Sequence, residues 1–316
     1  MNGVGIGPRV RSPVSHERDR RTPAGSGTLV LPFVVVTHAV IDSHLHVWDG
    51  TAAGRDPGPM KIGYSPQATA SVELFMDYMD EAGVERAVFV QPWFYHWNNR
   101  YMVSALRRFP GRFRGVGVID PRGRNAPGAL RRWRAEGVTG IRLRPLREGE
   151  RPRRGPWFGT DETLPLWEAM AETGTIACVL NAGTDLGRLP AILERFPSLR
   201  VVVDHLNSPV PARGLGQPVF RALLDLARHP QVHVKLSGFH HWCRERYPYR
   251  DGLPFAEAAV RAFGADRCMW GSDFPHVLAG CGYVRNRHLL PREATFLSKE
   301  QLGLVMGGTA GHFWFG

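Results

Sequence analysis

Lysine is scarce in this chain. Of its 40 basic residues only Lys61, Lys235 and Lys299 are lysine, so arginine carries the positive charge. Cysteine is scarce too: Cys178, Cys243, Cys268 and Cys281 include no C-x-x-C pair, which argues against a structural zinc site or a redox dithiol. This usage fits a reducing cytoplasm. Long apolar runs are missing. The longest nearly apolar stretch, LVLPFVVV from Leu29 to Val36, falls far short of the roughly 20 residues that a membrane span needs, so no membrane partner is expected. The patterns G-x-x-x-x-G-K-[ST], G-x-S-x-G and H-E-x-x-H are absent, which removes nucleotide hydrolases, serine hydrolases of the strand–turn–helix type and zincins as first readings. The net charge of +11 comes without a zinc-finger, helix-turn-helix or RNA-binding motif and without one dense arginine block. Nucleic acid is therefore not the expected partner. A small anionic substrate is the remaining functional use for so much arginine.

What is present is an ordinary globular composition, with 43% hydrophobic and 22% charged residues. Residues 1–38 stand apart as an Arg/Pro/Gly-rich leader, read as disordered. Arg20-Arg21 before a short apolar run faintly resembles an export signal, but Pro32 interrupts that run. From Val40 onward, strand and helix patterns alternate. Strands are expected near Val40–His44, Ala87–Gln91, Gly115–Asp120, Gly140–Arg144, Ile176–Asn181, Arg200–His205, Val232–Ser237 and Cys268–Asp273. Helical spacing of three and four joins Val72, Phe75, Met76 and Met79, then Leu164, Trp167, Met170 and Ala171, then Phe220, Leu223, Leu224 and Ala227. Gly83, Gly137 and Gly174 follow helices. Eight alternating units between residues 39 and 316 predict a single-domain (β/α)₈ TIM barrel. An open doubly wound sheet would carry a glycine-rich loop after its first strand, where this chain has HLHVWDG.

In such a barrel the chemistry sits at the C-terminal ends of the strands. Strand 1 ends with Asp42, His44 and His46, expected by alternation on one face. Strand 2 ends with Gln91, strand 5 with Asn181, strand 6 with His205 and strand 8 with Asp273; His240 and His241 follow strand 7, and His276 follows strand 8. Arg142 and Arg144 share one face of strand 4, expected towards the barrel mouth, where a substrate carboxylate could bind the guanidinium fork. Asp42 or Asp273 could also serve as the arginines' anion. An H-x-H alone is a weak signal, and a lone strand-end histidine is more often structural. Histidines ending strands 1 and 6 with a carboxylate ending strand 8 would converge on one axial point, which is the stronger reading. The aromatic run PWFYHW from Pro92 to Trp97 reads either as packing under the rim or as a wall for a flat substrate.

The strings VIDSHLHVWD, VFVQP, GIRLRP, VVVDHL, VHVKLSG and MWGSDFPH, spread from Val40 to the last strand, resemble the amidohydrolase superfamily in its "amidohydrolase 2" branch. They are most similar to the lactonase group, which includes 2-pyrone-4,6-dicarboxylate lactonase and fuconolactonase-like enzymes. The resemblance implies a distorted TIM barrel. It also implies a divalent metal such as zinc on His44, His46 and Asp273, or no metal at all, since Asn181 stands where metal-dependent relatives have histidine and an amide is a poor zinc ligand. The expected activity is hydrolysis of a carboxylated cyclic ester. Asp273 is the general base, and His44, His46 and His205 polarise the carbonyl. Arg142 and Arg144 bind the substrate carboxylate, with Gln91, Asn181 and His241 as weaker substrate contacts. The alternatives are a metal-dependent decarboxylase or amide hydrolase on the same barrel, or a basic anion- or nucleic-acid-binding protein. A homo-oligomer is compatible with the sequence.

Overall fold

A computed structural model describes residues 38–49, 70–92, 95, 97–144, 157–180 and 182–316. Of the expected leader, all but His38 lies outside them. Eight parallel strands run in chain order: β1 Ile41–Leu45, β2 Arg86–Val90, β3 Phe113–Gly117, β4 Val138–Leu143, β5 Ile176–Val179, β6 Val201–Val203, β7 Val232–Leu236 and β8 Cys268–Trp270. Helices stand between them, among them α1 Val72–Ala82, α2 Arg100–Arg108, α3 Ala126–Ala135, α4 Leu164–Thr173, α5 Leu189–Arg195, α6 Pro218–Leu224, α7 Phe239–Trp242 and α8 Leu253–Phe263. This is the (β/α)₈ barrel that the alternation predicts. Helix α1 shows the local logic. Ser71 accepts from Leu74 N at its start, and Gly83 stops it in the left-handed region at φ 64, which costs glycine nothing.

The strands separate two apolar layers. Ala87, Phe89, Ala177, Val179, Val201, Val203, Val232, Val234, Cys268 and Trp270 pack outward against the helices. Ile41, Val88, Val90, Val116, Ile176, Cys178, Val202 and Met269 fill the barrel with Ala310, Phe313 and Trp314. The last segment, Gly311–Phe315, thus plugs the barrel from within and forms its floor. Main-chain bonds just beyond β8 help close the barrel: Asp273 N donates to His44 O, and His46 N donates to Phe274 O, both at 2.7 Å. The sequence reading carries β8 through Asp273, but the ladder ends at Trp270 because Asp273 turns to φ 61. No helix among the described residues is long and apolar enough to cross a membrane.

Candidate active site

The site begins with a register shift. Between Asp42 and Leu45 the pairing of β1 with β2 is irregular, so the expected sharing of one face by Asp42, His44 and His46 does not hold. Ile41 packs in the interior and Leu45 in the outer layer, whereas Asp42 turns to the β1–β8 seam. There its Oδ1 accepts from His44 N at 3.1 Å and from Ser272 N at 2.9 Å, and its Oδ2 accepts from the Tyr283 hydroxyl at 3.1 Å. Burial pushes this carboxyl up to about 6 against those hydrogen bonds. Asp42 is a seam clamp, and it is not the anion beside Arg142.

His44, His46 and Asp273 do converge. His46 Nδ1 lies 2.6 Å from the Val90 carbonyl. A carbonyl only accepts, so Nδ1 carries a proton, and Nε2 faces Asp273 Oδ1, 3.3 Å away. His44 Nε2 lies 3.7 Å from the same oxygen. On the other side, His240 Nε2 and His241 Nε2 lie 3.4 Å and 3.0 Å from Asp273 Oδ2. Asp273 is almost fully buried, yet neither of its oxygens receives a well-aligned hydrogen bond. Burial alone would raise this carboxyl. The surrounding imidazoles, His205 foremost, outweigh it and hold Asp273 well below the usual carboxylate range. His205 is placed by a turn in which His205, Leu206, Asn207 and Ser208 all have positive φ. Asn207 ties that turn to Gly183 N and O and to Val219 O. The His205 ring lies 4.5 Å from that of His44, its Nδ1 is 2.8 Å from Ser237 Oγ, and burial lowers it to about 4.

Beneath this ring lies a second, fully buried layer that sequence reasoning missed. Asp204 follows β6, and its Oδ1 lies 3.1 Å from His44 Nδ1 and 3.0 Å from Lys235 Nζ. Its Oδ2 lies 3.5 Å from Arg142, and both oxygens face the Cys178 thiol. Burial would raise Asp204, but Lys235, then His44 and Arg142, keep it well below its ordinary value. Cys178 is pushed up to about 12 by burial beside Asp204, which leaves it a packed thiol. The overlooked signal was Lys235 itself, a lysine on an inward position of the apolar strand VHVKL.

The other expected residues separate. Arg142 points inward from β4 with its side chain 8% exposed, and its Nε has no hydrogen-bond partner. Arg144, expected on the same face, lies past the end of β4 and is exposed. Gln91 is buried; its Nε2 donates to Asn98 O while its Oε1 lacks a partner. His241 has a side chain 43% exposed at the mouth. Asn181 lies outside the described residues, as do Trp93, Phe94 and His96 of the aromatic run. Tyr95 of that run is buried and donates to Asp49 O, which is packing, while Trp97 is exposed.

The donors suit one divalent ion. One ring nitrogen each of His44 and His46 and an Asp273 oxygen lie within 4.8 Å of one another, as do ligand atoms of His240, His241 and Asp273. The Nδ1 atoms of His44 and His46 face oxygen, the outer-sphere arrangement typical of metal-bound imidazoles. Both Asp273 oxygens are buried without a well-aligned hydrogen bond, a gap that a cation between the rings and the carboxylate would fill. An ion there would be held by His44, His46 and Asp273, with a position left for water or substrate.

Known proteins resemble the chain over most of its length. The chain is 30% identical over 300 residues to an L-fucono-1,5-lactonase of Burkholderia ambifaria, covering 87% of this chain and 94% of that one. It is 28% identical to a 4-sulfomuconolactone hydrolase of Hydrogenophaga intermedia, covering 74% of each. A Pseudomonas putida structure described as a 2-pyrone-4,6-dicarboxylic acid hydrolase superposes with a TM-score of 0.72 at 29% identity, over 87% of this chain and 97% of that one. The amidohydrolase family model matches residues 41–316, the whole barrel with its site, and the chain accordingly belongs to the amidohydrolase family.

Proposed function

We propose that the protein is a hydrolase that opens a cyclic ester carrying one or more carboxylates. The observation that carries this reading is one buried, ionised carboxylate, Asp273, ringed by imidazoles above an inward-facing guanidinium, Arg142. Relatives at 28% to 30% identity are named for lactones, and one of those names carries a sulfo group.

Asp273 takes a proton from water, whose oxygen adds to the lactone carbonyl. The ring C–O bond then breaks, the proton returns to the departing oxygen, and a hydroxy acid leaves. Arg142, with its unpartnered Nε, binds the substrate carboxylate. Arg144 stands ready at the rim, and His241 and Gln91 offer polar contacts at the mouth. Asn181 keeps its sequence-based role as a substrate contact. His205, neutral at pH 7 by its burial, faces the oxygen that becomes charged. A divalent ion held by His44, His46 and Asp273 supplies Lewis-acid polarisation of the carbonyl when bound.

The direct test is acid release from a panel of carboxylated lactones, followed with a pH indicator and set against Asp273→Asn. Turnover is expected from the parent and not from the variant. A panel without acid release, joined by carbon dioxide release from aromatic carboxylates, would replace this reading with a decarboxylase.

A further inference from the structure

At the end of the barrel away from the mouth, a cavity of about 450 Å³ opens among the first residues of β3, β4 and β5 and Arg200, which precedes β6. Its size falls in the range of small-molecule sites, roughly 300–1,000 Å³. Phe313 and Trp314 of the C-terminal plug line it, as do Arg107 of α2, Arg134 of α3 and Arg114 of β3. Arg114 and Arg200 stand two residues before Val116 and Val202, which face the interior, so alternation turns both side chains towards the plug. Arg114 Nε donates to Trp314 O at 3.1 Å, and its Nη1 lies 3.3 Å from Phe113 O. Arg200 Nη1 donates to Phe313 O at 3.1 Å and its Nη2 to Gly174 O at 3.3 Å, while its guanidinium lies 5.5 Å from the Phe313 ring.

These bonds fix the guanidiniums without neutralising them. A guanidinium has five N–H donors, so both arginines keep donors that the main-chain carbonyls do not use. Among the described residues, the one carboxylate paired with an arginine of this cavity is Glu136, and it is taken by Arg107. Arg114, Arg134 and Arg200 form no ion pair there. Burial and neighbouring Arg86 lower Arg114 from its ordinary value, and burial and Arg134 lower Arg200. The nearly buried Trp314 adds an indole Nε1 without a hydrogen-bond partner. Capping the plug's carbonyls accounts for some of these donors, but not for three like charges gathered round a cavity with no protein carboxylate of their own.

We propose that this cavity binds a small di- or trianion, whose phosphate or carboxylate oxygens are held by Arg114, Arg134 and Arg200 beside the Phe313 and Trp314 rings. Guanidiniums take either oxyanion through paired N–H···O bonds. The ligand would tie β3, α3 and the start of β6 to the plug, so it binds the folded chain and raises the melting temperature. The proposal uses no residue of the mouth and does not rest on the lactone-hydrolase reading.

The test is isothermal titration calorimetry of the full-length protein with inorganic pyrophosphate and, separately, citrate. Ionic strength is held constant with potassium chloride, because loose attraction to a +11 chain is screened by salt. One site per chain is expected, with Kd below about 1 mM for at least one probe; the tighter probe names the preferred oxyanion. Arg200→Gln should weaken binding about 10–100-fold and the more exposed Arg134→Gln about 3–10-fold. Arg131→Gln, on the same helix but paired with Glu172 and outside the cavity, should leave Kd unchanged, as should Arg142→Met at the mouth. Neither probe binding below about 10 mM overturns the proposal. So does a Kd unmoved by both cavity variants, or one weakened as much by Arg131→Gln. Loss of binding in Arg142→Met places the anion at the mouth and refutes the floor site. Should Arg200→Gln not fold, Arg134→Gln decides, since Arg134 is exposed and makes only a 3.5 Å contact with Val138 O.

Discussion

Asp273 sits at φ 61, a conformation that costs a non-glycine residue about 1–2 kcal/mol. The main-chain bond from its N–H to His44 O holds that turn, and the turn lifts the carboxylate out of the ladder into the ring of imidazoles. Asp273→Asn keeps the volume and removes the base. We expect kcat to fall about 10²–10⁴-fold while the melting temperature stays within a few degrees; near-parental kcat would remove Asp273 from the chemistry. Arg142 has a separable role. Lys235 still neutralises Asp204 at 3.0 Å when Arg142 is replaced, so Arg142→Met should fold. Its KM for a carboxylated lactone should rise about 10–100-fold, the worth of a charge-assisted hydrogen bond, with much less change for a neutral lactone. An equal loss on both substrates would count against carboxylate binding.

At the scale of elements, the link between β7 and α7 positions the strand-6 histidine. Gly238 has φ 67, and a Cβ there would lie 2.6 Å from His205 Nδ1. Both the backbone and the space call for glycine. Gly238→Ala should push His205 off Ser237, lower kcat at least tenfold, and cost about 1–2 kcal/mol of stability in a denaturant melt. Parental kcat in a folded Gly238→Ala protein would show that the placement of His205 does not matter. This contact was not legible in the sequence, because residues 205 and 238 meet only through the pairing of β6 with β7. The strands themselves were legible, since buried parallel strands read as short apolar runs between turn residues. Their ends were read too long at β3, β5, β6 and β8 because the sequence pattern ran on after the ladder had stopped.

At the scale of the whole molecule, the interior floor couples stability to acid. His233 points from β7 onto the Phe313 ring of the C-terminal plug, 4.2 Å away, and burial lowers it to about 4. Above about pH 6.5 the ring is neutral in both the folded and the unfolded chain. As pH falls from there towards 4, the unfolded chain takes up a proton that the folded one refuses, so stability drops. His205, lowered to about 4, and His276, lowered to about 3, act in the same direction. Denaturant melts should show stability falling between pH 6.5 and 4. His233→Phe should flatten that slope by about 1–2 kcal/mol over the range; an unchanged slope would mean that His233 is open to water.

The sequence by itself determined the barrel, the order of its strands and the presence of His44, His46, His205 and Asp273 at strand ends. Those features follow from local periodicity and from the rule that barrel strands end at one mouth. Only the tertiary structure decided what each charge does. Asp42 and Asp204 look alike along the chain, yet one clamps the β1–β8 seam and the other sits under His44, 160 residues away in sequence. Arg142 and Arg144 look paired by alternation, yet one ends buried beside Asp204 and the other exposed. Lys235 passed unnoticed because a lysine usually marks a surface, and nothing local shows that Asp204 stands 3.0 Å away in the interior to neutralise it. Periodicity tells which way a side chain points, but a partner across the barrel is fixed only by strand stagger, by the irregularity in β1 and by the left-handed turns after β6 and β8.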